Sequence, residues 1–128
     1  MLKSPLRFSA LWLAVGGMLL FFLVYRSLIP ADALQQSAHG DKLLHFSAYA
    51  VLMSWFSNIF PALKQRIRLA LALVMLGIAL EFAQRWTGYR TFELADMAAN
   101  ATGVAAGWLS APPRLPNYLH RLESFREP

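Results

Sequence analysis

Between Phe8 and Ile29 the chain runs for 22 residues with Arg26 as its one charge. As a helix that run measures about 33 Å at 1.5 Å per residue, enough to cross a hydrocarbon core of about 30 Å. A stretch this long and apolar reads as a membrane span, and the composition of the whole chain agrees. Of the 128 residues 57% are hydrophobic and 15% charged, too apolar a mixture for an ordinary soluble domain of this size. The expectation is all-α: a single domain over 1–128, an integral membrane bundle of four transmembrane helices at about 8–29, 42–60, 67–85 and 93–111, with a short interfacial C-terminal segment.

Ser4 and Pro5 suit the cap and first position of the first helix, because proline's missing N–H is no loss there. A cleaved secretory signal is the rival reading, helped by Ala31 and Ala33 after Pro30, but its apolar run is usually about 7–15 residues, shorter than this one. A retained anchor is favoured. Pro30 to Gly40 reads as an exposed loop. The absence of Cys excludes disulfides, thiolate metal sites and a Cys nucleophile. The net charge of +5 is scattered between apolar runs and forms no basic face, so nucleic acid is not an expected partner.

The second span can be capped by Asp41 and is closed by Pro61; His45 and Tyr49 share a face near its start, and Trp55, Phe56 and Phe60 suit an interfacial belt at its end. Lys64, Arg66 and Arg68 form a basic turn before the third span, which carries no further charge until Glu81. Glu81, Gln84 and Arg85 fall at i, i+3 and i+4 and can pair on one face, and Thr87-Gly88 breaks the helix. Glu93 and Asp96 open the fourth span, where the positive end of the helix dipole alone would favour carboxylates. Asp96, Asn100, Gly103 and Gly107 then line one face, and the Gly103/Gly107 pair permits close helix packing within the bundle, with a homo-oligomer as the alternative use. Beyond Pro112, Pro113 and Pro116, the spacing of Tyr118, Leu122 and Phe125 predicts a short amphipathic segment on the membrane surface.

With four spans, one side of the membrane receives Lys3, Arg7, Lys64, Arg66, Arg68, Arg114, Arg121 and Arg126, and the other Arg26, Lys42, Arg85 and Arg90. The positive-inside rule then places both termini in the cytoplasm of an inner-membrane protein. His45, Glu81, Gln84, Arg90, Glu93, Asp96 and Asn100 all come to the opposite side, at one depth. Ionisable groups near the bilayer centre cost roughly 2.5–3.5 kcal/mol on insertion scales, so such residues are paired or functional.

These residues carry a resemblance. DKLLHF-x2-Tyr49 in the second span, Glu81-x2-Gln84 closing the third, and Gly88-Tyr89-Arg90-x-Phe92-Glu93-x2-Asp96-x3-Asn100-x2-Gly103 resemble the VanZ-like family of small bacterial membrane proteins over about Asp41 to Gly107. Glu93 stands where the family more often has Asp. The resemblance implies a helical membrane domain related to a protein linked to resistance against teicoplanin, a lipid-bearing glycopeptide. It implies no reaction and no cofactor.

Three roles follow for the cluster of His45, Tyr49, Glu81, Gln84, Arg90, Glu93, Asp96 and Asn100. It can bind a phosphate- or carboxylate-bearing headgroup at the outer leaflet, such as a lipid-linked wall precursor or a lipoglycopeptide, with Arg90 and Arg85 on the anion; this is the favoured reading. It can be a structural or partner-binding network that fixes helix packing. Least favoured is an intramembrane hydrolase using Glu81 and His45. Glu81-x3-Arg85 is similar to part of the CAAX-type membrane proteases but lacks their doubled Glu and further span histidines, since His39 and His120 fall outside the spans. No metal site is expected.

Overall fold

The computed structural model describes residues 5–29, 38–88 and 94–125. They form five helices, α1 (Ser9–Leu28), α2 (Ala38–Ile59), α3 (Leu63–Thr87), α4 (Leu94–Leu109) and α5 (Tyr118–Ser124), and no strand is present among them. α1 and α3 are long and apolar enough to cross a membrane. α4, at 16 residues, extends only about 24 Å, and α2 dilutes its 22 residues with Lys42, His45, Ser57 and Asn58. Two helices rather than four therefore carry the length and composition of a span among the described residues.

Helix boundaries depart from the sequence expectations in physically sensible places. α1 starts at Ser9, so Pro5 lies outside it, and Ser4 is outside the described residues. α2 starts at Ala38, which makes positions 38–40 helix instead of loop and puts Asp41 inside the first turn instead of at the cap. α3 ends where Gly88 takes a left-handed φ of 74° and returns its N–H to Arg85 O, a conformation that a Cβ would strain.

The four long helices alternate in direction. Gln84 Nε2 at the end of α3 donates to Ser27 O at the end of α1 (2.8 Å), and His45 near the start of α2 meets Asn100 in α4 (3.2 Å). At the opposite end Trp55 Nε1 of α2 donates to Trp12 O of α1 (2.9 Å), and Arg66 Nη2 of α3 donates to Trp108 O of α4 (2.7 Å). Leu23, Tyr49, Leu52, Met53, Leu73 and Val104 make the core. α2 and α4 pack tightest, because Gly103 and Gly107 present bare backbone to the carbonyls of Phe46 and Ala50. The outward faces of α1 and α3, including Met18, Phe21, Phe22, Leu71 and Met75, are exposed and apolar.

α5 is held to the bundle rather than merely lying beside it. Leu119 is fully buried, Asn117 Nδ2 donates to Asn58 O (2.8 Å), and Tyr118 N donates to Asn58 Oδ1 (3.1 Å). The Glu123 carboxylate accepts from Arg7 N (2.9 Å), Phe8 N (2.9 Å) and Trp12 Nε1 (2.8 Å), which satisfies donors at the open start of α1. Leu122 and Phe125 face outward, as an interfacial segment would place them, while Tyr118 turns toward Trp55 with ring centroids 6.1 Å apart. Trp55 and Phe56, expected as belt residues, instead pack half-buried against Gly16 of α1.

Candidate functional site

The end of the bundle opposite α5 gathers the polar side chains. His45 and Tyr49 come from α2, Glu81 and Gln84 from α3, and Asp96 and Asn100 from α4, and all six are buried. Each helix presents them by its own periodicity. Tyr49 follows His45 by one turn and continues into Leu52 and Met53, while Asp96 and Asn100 continue into Gly103 and Gly107. In α3 the buried positions are Arg66, Leu73, Gly77, Leu80, Glu81 and Gln84.

At the centre, His45 Nδ1 lies 3.2 Å from Asn100 Oδ1. A side-chain carbonyl can only accept, so Nδ1 is the donor and the Asn100 amide is turned the other way. That amide faces Gly77, where an added Cβ would stand 3.0 Å from Asn100 Nδ2 and 3.3 Å from Tyr49 Oη. Gly77 is thus the bare spot of α3 that lets α2 and α4 bring an amide and a phenol together. Tyr49, wholly buried, has no hydrogen-bond partner for its hydroxyl among the described residues. Glu81, 1% exposed, sits one turn beyond Gly77. At the rim Lys42 Nζ is 3.8 Å from Asp96 Oδ1.

Two expectations change here. Arg85 does not share the face of Glu81 and Gln84: it is exposed, and Gln84 spans to α1 instead. Arg66 is not a member of a solvated basic turn; Lys64 and Arg68 are exposed, but Arg66 is buried with its guanidinium 4.1 Å over the Trp108 ring. Arg90 and Glu93 lie outside the described residues. Gly77 and Ser27 joined the site without being singled out from the sequence. The signal for Gly77 was its helical phase: 77 follows 73 and precedes 80, 81 and 84 on one stripe. Among the described residues no group of three or more His, Asp or Glu stands together as a metal site would require.

This buried set occupies the same helices as the sequence pattern noted above, and the family comparison covers all of them: the VanZ/LLP1 model matches residues 7–115. The chain belongs to the VanZ/LLP1 family. The match takes in α1 to α4 and stops short of α5, so Glu123 lies beyond the VanZ/LLP1 region while its partners Arg7, Phe8 and Trp12 lie within it. No curated protein and no solved structure matches the chain.

Proposed function

We propose that this VanZ/LLP1 protein is a four-span protein of the bacterial inner membrane, with both termini cytoplasmic, that binds the anionic headgroup of a lipid or envelope ligand at its outer end. The observation that carries the reading is the burial of His45, Tyr49, Glu81, Gln84, Asp96 and Asn100 at one end of a bundle whose outward faces are apolar. Six polar side chains inside such a bundle cost a few kcal/mol each unless something answers them. Alternating helix direction and eight cations against four support the orientation, which puts this end at the outer leaflet. A phosphate or carboxylate held there, whether on a lipid-linked wall precursor or a lipoglycopeptide, suits the donors at this depth, with Arg90 as the guanidinium contact.

A second reading has its own support. His45 with Asn100 and Gln84 with Ser27 O answer one another internally, as a network that only sets helix register would. Native mass spectrometry of the purified protein separates the two, wild type beside Arg90→Ala. A phosphate-bearing adduct retained by the wild type and lost by a folded variant supports binding. No adduct in either, with the variant poorly folded, moves the assignment to the register network.

A further inference from the structure

A cleft of about 310 Å³ runs between α1 and α2. Its deep part is hydrocarbon, with Leu19 and Leu23 on one wall and Val51 and Leu52 on the other. Arg26, Ser27 and His45 line its other end, with Ser47 as a further polar residue on α2. Leu19 to Arg26 and His45 to Leu52 are each seven steps along a helix, so the trough is about 10 Å long. Among the described residues no carboxylate lines it, and Ala48, the small residue midway along α2, leaves the space open. Phe22 and Val51 at the margin are exposed, which makes the cleft reachable from the side of the bundle.

Two of the four polar residues, His45 and Ser27, also belong to the buried network. His45 holds Asn100, and the Ser27 carbonyl receives Gln84 Nε2. A groove that merely collected passing lipid would need neither link. The volume sets the occupant's size: about 150 Å³ admits a benzene ring in a soluble protein core, and about twice that takes one chain segment rather than a pair. Arg26, which lines the polar end, favours an anion there.

We propose that this cleft seats a single apolar chain of an amphiphile whose phosphate-class headgroup is held by Arg26 beside His45. The inference rests on the headgroup-binding reading above and deepens it, giving the ligand's chain a place and its anion a second cationic contact. Entry is lateral, from the outer leaflet. Occupancy bears on the network directly, because His45 both lines the cleft and holds Asn100.

The test uses the full-length protein in phosphatidylcholine nanodiscs with a lysophosphatidylglycerol that carries a diazirine in its acyl chain. Mapped photolabel should concentrate on the 19–23 and 48–52 segments, above the level at Leu71 and Met75, which report ordinary lipid contact on α3. Arg26→Gln should lower that label about tenfold while leaving a monoacylglycerol probe, which carries no phosphate, unchanged. Ala48→Leu, or the marginal Val51→Trp if the first variant folds poorly, should lower the label from both probes. Label spread evenly over α1, α2 and α3 overturns the cleft. Label in the cleft that ignores both Arg26→Gln and headgroup charge overturns the anion contact. An adduct that Arg90→Ala removes, without cleft labelling, leaves the headgroup reading standing and defeats this one alone.

Discussion

His45 Nδ1 and Asn100 Oδ1 are 3.2 Å apart, 55 residues apart in sequence, and buried between α2 and α4. Asn100→Leu removes the acceptor and leaves the imidazole N–H without it, a cost of about 1–3 kcal/mol for a buried donor. Replacing His45 with Leu in the same chain should recover part of that loss, because neither partner then remains to be answered. Thermal unfolding of the four members of this double-mutant cycle in one detergent measures the coupling. A zero coupling energy would remove the pair from any account of the bundle's stability.

The glycines of α4 make a sharper prediction. A Cβ on Gly103 collides with the carbonyl oxygen of Phe46, and one on Gly107 with that of Ala50 and, at 2.7 Å, with Met53 Cβ. Backbone cannot swing aside, so α2 and α4 must separate, and each Gly→Ala change should cost about 1–3 kcal/mol. Gly17→Ala is the control: a Cβ there meets nothing within 4 Å, and the helix gains roughly 0.5–1 kcal/mol from the lost backbone freedom. Monodisperse yield in fluorescence-detected size exclusion, with melting points beside it, reads both signs.

Arg66 is the third case. Its guanidinium donates to Trp108 O at 2.7 Å and lies 4.1 Å over the indole. Arg66→Lys keeps the charge but loses the planar stack and the reach of the fork, so a loss of about 1–2 kcal/mol is expected despite the conserved sign. Lys64→Ala and Arg68→Ala, at exposed neighbouring positions, should fall within about 0.5 kcal/mol of wild type in the same melts.

How far these features were readable differs residue by residue. The face of Asp96, Asn100, Gly103 and Gly107 could be drawn from spacing alone, because helix periodicity needs no tertiary information. Arg66 was readable in principle: it precedes Gln84 by eighteen residues, about five turns at 3.6 residues each, and so shares its phase. The i, i+4 spacing of Glu81 and Arg85 permits pairing on one face, but the phase set by Arg66 and Gln84 leaves Arg85 exposed. Gly77 looked like one more small residue in an apolar run, since the partners that give it meaning come from two other helices. The cleft between α1 and α2 had no sequence mark at all, because a void is a property of two packed surfaces.

Glu123 supplies the fourth prediction. Burial alone would raise its pKa, but the N–H of Phe8, the indole of Trp12, the N–H of Arg7 and the nearby His120 outweigh that and hold it below the ordinary value of 4.5. A carboxyl depressed in the folded state stabilises above its unfolded pKa, and the contribution disappears as pH falls through the folded one. Protease accessibility of the 110–117 turn should therefore rise as pH drops below about 4.5 in the wild type. Glu123→Gln should show raised, pH-independent accessibility across that window, with a loss of about 1 kcal/mol at neutral pH. A wild-type profile flat between pH 6 and the acid limit would contradict the depressed carboxyl.

The same carboxylate ties together parts of the chain that are made far apart in time. Arg7 and Glu123 are 116 residues apart, so at about 5–20 residues per second the ribosome needs roughly 6–23 s to make the acceptor after the donors. For that interval the N–H groups of Arg7 and Phe8 and the Trp12 indole lack this acceptor. Glu123 therefore fastens α1 only after the other long helices have been made, and a chain trimmed before it would leave the start of α1 untied.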